Sequence, residues 1–165
     1  MKQTSGHSRV VLTLALTLVA LFAFGACKHS GVAVTGDGRA LSIDIGVPTD
    51  LSEGATEELK VEIRNRGVNR MKDVVFEVEM PSELIVLSTV PGPDLQASEM
   101  MTSTGTKRFI YRAGHVGAQS ASHVRYHVRA AFGSLDRTGD IKVTAWSEDL
   151  PGNRLVETKK IYLRR

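Results

Sequence analysis

One cysteine in 165 residues, Cys27, sets the first limits on this chain. A lone thiol cannot close a disulfide within the chain, and it cannot supply a cysteine-rich zinc site. Charge of one sign is equally scarce. Basic residues exceed acidic ones by three, and Lys2 and Arg9 lie in an N-terminal segment without acids, which leaves +1 after Ala26. The nominally basic pI therefore does not point to nucleic acid, because no stretch concentrates positive charge into a face. No Gly-x-Ser-x-Gly elbow occurs, and no glycine-rich loop stands ahead of a helix to cradle phosphate. Long apolar runs are limited to residues 10–24. Fifteen helical residues rise only about 22 Å, short of the roughly 30 Å hydrocarbon core, so the run is wrong for a comfortable membrane span and right for a secretion signal. What remains is ordinary globular composition, 42% hydrophobic and 24% charged, at a length suited to one domain with appendages.

The N-terminal residues read in three parts: "MKQTSGHSR", polar and positive; "VVLTLALTLVALFAF", apolar; and small residues leading into Cys27. Phe24-Gly25-Ala26-Cys27 resembles the lipobox of bacterial lipoprotein signal peptides, with Phe24 standing where Leu is usual. The resemblance implies that Cys27 is acylated on its sulfur, that residues 1–26 are removed as a signal peptide, and that the membrane is a partner through the lipid anchor. One acyl chain holds a protein only marginally, whereas two or three make release very slow. Lys28 is not the aspartate that commonly retains lipoproteins in the inner membrane of enteric bacteria, which favours the outer membrane, facing the periplasm or the surface. Two other outcomes stay open: signal peptidase I cutting after Ala23-Phe24-Gly25, which would leave a free thiol, and an uncleaved anchor. Residues 27–40 then form the modified cysteine and a flexible tether, rich in Gly and polar residues apart from Val32 to Val34, with a reach of about 20 Å.

From residue 41 the apolar period is two. Leu59, Val61 and Ile63 alternate with Lys60, Glu62 and Arg64; Val74, Phe76, Val78 and Met80 do the same around Glu77 and Glu79. Such alternation is what a strand with one wet face requires. Strands are expected at 41–47, 58–65, 73–80, 83–89, 107–113, 122–132, 140–148 and 154–163. The turns between them include Asn65-Arg66-Gly67, Met80-Pro81-Ser82, Gly114 to Gly117 and Thr138-Gly139-Asp140. The expected fold is therefore all-β, an antiparallel sandwich of seven to eight strands over 41–165 that follows an N-terminal signal helix. "LKVEIRNRG" followed by "VVFEVEMPSELIVLS" is similar to the conserved-repeat immunoglobulin-like domain of unknown function found in bacterial and archaeal surface proteins. Asn65, Gly67 and Pro81 match it, and Met80 replaces a usual Leu. "GHVGAQSASHVRYHVRA" looks like that family's glycine-marked corner, without the proline expected there. The resemblance spans about 55–163. It implies an immunoglobulin-like fold outside the cytoplasm and no defined activity.

The most concentrated chemistry is "HVRYHVR". In a strand His123, Arg125, His127 and Arg129 share one face, and His123 and His127 stand about 13 Å apart, too far to hold one metal together. The stripe could attract an anionic ligand. The plainer reading is a solvated face whose charge is offset by Glu62, Glu77 or Glu79 on neighbouring strands. Ser122 and His123 point to opposite faces and form no dyad. Asp136 and Asp140 hint at a calcium loop that lacks its remaining ligands. Trp146 shares a face with Lys142 and Thr144, either as a partly exposed contact anchor or packed beneath a long 90–106 loop that carries Met100 and Met101. No catalytic residue, metal or cofactor is expected. The reading is a tethered, non-catalytic binding or scaffold module of the bacterial cell envelope, with envelope proteins or glycans as partners. The competing reading is a small secreted enzyme or metal-handling protein centred on His115, His123 and His127.

Overall fold

The computed structural model describes residues 32–34, 40–101, 106–150, 152 and 154–165, with side chains from residue 40 onward except those of 97–101. The expected signal peptide, with Phe24, Gly25, Ala26 and Cys27, lies outside the described residues, as does most of the tether. The described residues form strands only: β1 (Val32–Val34), β2 (Ala40–Gly46), β3 (Asp50–Ser52), β4 (Thr56–Asn65), β5 (Met71–Met80), β6 (Leu84–Pro91), β7 (Gln96–Met101), β8 (Lys107–Val116), β9 (Ala121–Ala130), β10 (Arg137–Trp146) and β11 (Leu155–Arg164). They build two sheets, one in the order β1-β2-β4-β9-β6 and the other β3-β11-β10-β5-β8-β7.

Each of the eight expected segments is a strand, and where the residues alternate the period decides which side chains enter the core. From the first sheet Ile43, Leu59, Val61, Ile63, Val124, Tyr126 and Val128 point inward; from the second, Phe76, Val78, Tyr111, Ile141, Val143 and Ile161 do. Full burial of each large apolar side chain contributes about 1.5–3 kcal/mol relative to leaving it in water. The two layers meet through aromatic rings. Phe76 stacks on Tyr111 at 5.0 Å between centroids, and Tyr126 from the opposite sheet meets Tyr111 edge-on at 6.3 Å. Burial, and then the adjoining Tyr111 hydroxyl, push the Tyr126 phenol well above its ordinary value.

The structure differs from the sequence expectation at five places. Val32–Val34 pairs with Ala40–Ser42 as β1, although three residues are too few to show a period. The 90–106 stretch is not one long loop: β6 runs on through Pro91, and Gln96–Met101 pairs with β8 as β7, whose sequence QASEMM lacks alternation. The short β3 lies parallel to β11 around the single buried Leu51. Thr138-Gly139-Asp140 is not a turn but part of β10, and Gly114 sits inside β8 with φ of 57° where pairing with β5 shifts register.

Two motif residues prove to be clamps between distant segments. Asn65 is fully buried; its Nδ2 donates to the carbonyls of Asn69 at 2.8 Å, Val116 at 3.1 Å and Gly117 at 3.0 Å, and its Oδ1 accepts the Gly67 amide at 2.9 Å. The β4–β5 turn is thereby fastened to the β8–β9 corner. Pro81 covers Gly139, where an added Cβ would stand 2.9 Å from the proline Cγ.

Candidate functional site

Strand β9 places its four singled-out residues as the alternation requires. Arg125, His127 and Arg129 are exposed and His123 half-buried on the outer face of the first sheet, between β4 and β6. The register sets their surroundings. Across on β4, Lys60 stands opposite Arg125, Glu62 opposite His123 and Glu58 opposite His127. Across on β6, Ile85 stands opposite Arg129, Ser88 opposite His127 and Val90 opposite Arg125.

Of the acids expected to offset this charge, only Glu62 lies on a neighbouring strand, opposite His123. Glu62 is held by Lys60 at 2.9 Å and Arg64 at 2.7 Å, and these hydrogen bonds, Lys60 first, draw its carboxyl below the ordinary value. Glu77 and Glu79 belong to the other sheet, where they bind Arg108 at 2.9 Å and Lys142 at 2.8 Å. Arg125 and Arg129 therefore have no ion-pair partner among the described residues. Beside them β6 is the outermost strand of its sheet, bulged between Val86 and Ser88, with Leu87 50% and Val90 46% exposed. An outermost strand presents unpaired backbone N–H and C=O groups. Cations and apolar side chains thus border an open sheet edge.

The histidines do not converge. His115 is an exposed residue of β8 in the second sheet, while His123 and His127 are on β9 in the first. Among the described residues no three His, Cys, Asp or Glu side chains could hold a metal ion together. Asp140 is within β10 opposite Lys160, and the Asp136 carboxylate accepts the Arg165 amide at 3.0 Å, so the pair is not a calcium loop.

Trp146 is half-buried at the end of β10, on the outer face of the second sheet. It borders a cleft of about 490 Å³ whose described lining comes from β5, β8, β10 and the β10–β11 turn rather than from the 90–106 stretch. Pairing explains the lining: Arg112 of β8 stands opposite Val75 of β5, which stands opposite Trp146 of β10. Arg154, just before β11, lays its guanidinium 4.8 Å from the centre of the Trp146 ring. The turn is pinned in place, since Ser147 Oγ donates to the Lys72 carbonyl at 2.6 Å and Asp149 Oδ2 accepts the Lys72 amide at 2.7 Å. Asp73, at the register shift in β5, adopts φ of 47° and lines the same cleft. Sequence reasoning found Trp146 but missed Arg112, Asp73 and Arg154. They are 34, 73 and 8 residues from it, and the only signal that joins them is the strand order.

No family model and no curated protein matches this chain. Solved structures do. The sandwich is similar to a cohesin module from a family 33 glycoside hydrolase of Clostridium perfringens, with 12% identity and a TM-score of 0.55, covering 74% of this chain and 95% of that one. The fold is immunoglobulin-like. The RrgA Jo.In complex aligns at 11% identity and a TM-score of 0.53, over 81% of this chain and 82% of that one. The CARDB domain of a Pyrococcus furiosus protein, solved with two metal ions, aligns at 14% identity and a TM-score of 0.50, over 79% of this chain and 98% of that domain.

Proposed function

We propose that this chain is a lipid-anchored protein of the bacterial cell envelope whose immunoglobulin-like sandwich binds a neighbouring protein or glycan and performs no chemistry of its own. The observation that carries the binding role is the outer β6–β9 surface, where, among the described residues, Arg125 and Arg129 lack acidic partners and β6 is the outermost strand, with Leu87 and Val90 exposed. Uncompensated cations next to apolar side chains and free backbone groups are what an extended or anionic partner can use. That the shape recurs in a cohesin module and in the RrgA Jo.In complex supports an association role. The anchor is supported by the apolar run and by the small residues that lead into Cys27.

Two measurements test the parts separately. Protein extracted from the membranes of its own cells is expected to have the mass of a chain that begins at Cys27 and carries two or three acyl chains. The Cys27→Ser variant is expected to be uncleaved or soluble. An unmodified Cys27 thiol in membrane-extracted protein overturns the anchor. For the binding role, a photo-crosslinking residue at Val90 is expected to capture a discrete neighbour in intact envelopes, and the Arg125→Glu/Arg129→Glu double variant to reduce that capture at least about tenfold. Equal capture by the double variant overturns the β6–β9 surface as the contact.

A further inference from the structure

The second sheet carries a different feature, which the cationic stripe does not explain. Across its outer face runs the row Arg112–Val75–Trp146, with Arg154 closing the row over the tryptophan ring. Neighbouring strands lie about 4.8 Å apart, so Val75 forms a low floor between Arg112 on one side and Trp146, with Arg154 over its ring, on the other. Asp73 and Glu148 complete the rim of the cleft. None of these four charged side chains has an ion-pair partner among the described residues. Two acids and two bases thus surround one cavity without neutralising each other through contact. Asp73 holds a left-handed backbone conformation to stand there, which costs free energy for a residue other than glycine. The Ser147 and Asp149 bonds to Lys72 keep the turn that forms one wall from drifting away.

We propose that this cleft is a binding site for a carboxylated saccharide, a uronic-acid unit of a glycan. A pyranose ring offers an apolar C–H face, several hydroxyl donors and, in a uronic acid, one carboxylate. The C–H face suits Val75 and the edge of Trp146; the carboxylate lies between the Arg112 and Arg154 guanidiniums; the hydroxyls donate to Asp73 and Glu148. The mixed rim selects against the simpler ligands. A polyanionic peptide would meet Asp73 and Glu148 as like charges, and a neutral sugar would leave both arginines unused. The inference rests on the binding-module reading above, but on neither the anchor nor the β6–β9 surface.

Trp146 is the chain's only tryptophan, so its fluorescence reports on the cleft directly. The full-length protein in detergent is titrated with oligomers of galacturonate, of alginate and of hyaluronan, and in parallel with a neutral galactan and with poly-glutamate. A saturable change in fluorescence is expected with at least one uronate oligomer, with binding at least about tenfold weaker for the galactan and for poly-glutamate. Arg112→Gln and Asp73→Asn are each expected to weaken the uronate about tenfold or more, the loss typical of one charge-assisted contact. Each variant is first checked for an unchanged circular dichroism spectrum. Glu148→Gln, on the exposed turn, provides a second acid variant should Asp73→Asn disturb the β5 register. No saturable change with any uronate up to about 1 mM overturns the proposal. Equal affinity for the galactan or poly-glutamate also overturns it, as does full affinity in Arg112→Gln. A Cys27→Ser protein that still binds the uronate would separate this site from the fate of the anchor.

Discussion

At the scale of single residues, Asn65 shows how a motif position acquires its meaning. In the sequence it is one end of an Asn-x-Gly turn, and a turn needs Asn only for its local backbone chemistry. In the fold its amide reaches carbonyls 51 and 52 residues further along, so one side chain closes the β4–β5 turn against the β8–β9 corner. Removing it leaves buried carbonyls without a donor, a larger loss than the net value of the bonds themselves. Asn65→Ala is therefore expected to lower unfolding stability by about 2–4 kcal/mol, read as a shift of the urea midpoint at unchanged slope. Asn65→Asp is expected to be at least as damaging, because it turns a carboxylate toward three carbonyls. A loss under about 0.5 kcal/mol for Asn65→Ala, the range of an ordinary surface change, would show that the clamp carries no weight.

At the scale of elements, legibility followed length. Most strands of seven or more residues announced themselves by alternation, β6 with its apolar run being the exception, because a period of two needs several repeats before it can be told from chance. Strands β1 and β3 have three residues each, and β7 carries no alternation, so pairing rather than pattern makes them strands. Glycine misled in the same way. Gly139 reads as a turn residue, yet it lies within β10, where the chain passes beneath Pro81. The reason for glycine there is room: a Cβ would meet the ring at 2.9 and 3.1 Å. A rigid ring beside a strand gives way little, so Gly139→Ala is expected to cost about 1–3 kcal/mol in spite of the better strand propensity of alanine. Pro81→Ala removes the nearer of the two clashing atoms. The double variant should then be more stable than the sum of the single losses predicts, by about 0.5 kcal/mol or more in a double-mutant cycle. Strict additivity would place the cost of the alanine elsewhere than at this contact.

At the scale of the whole molecule, the limits of sequence reading are limits of topology. The face of β9 could be read from seven residues, but not which strands flank it. Glu77 and Glu79 were plausible neighbours until the strand order put them on the opposite sheet, and the Trp146 cleft joins residues from β5, β8, β10 and the β10–β11 turn that no local spacing relates. Ion pairs act both within one strand, as Lys60–Glu62–Arg64 does, and between distant segments, as Glu83–Arg137 does, and their effect on the molecule is open to test with acid. Glu62 is held below its ordinary value chiefly by Lys60, then by Arg64; Glu83 is held below it by its own backbone N–H first, then by Ser82 and Arg137. A carboxyl depressed in the folded state binds protons less readily there than in the unfolded chain. Its contribution is therefore full above the unfolded value, near 4.5, and drains away as pH falls through the folded value. Both groups lie near the surface, so each contributes on the order of 0.2–1 kcal/mol. The Glu62→Gln/Glu83→Gln protein should consequently be less stable than the parent at pH 7, with the gap closing as pH is lowered below 4. Urea midpoints measured at half-unit steps from pH 7 to pH 3 give the comparison. A gap that stayed constant over that range would mean that the two carboxylates act through packing and not through their charge.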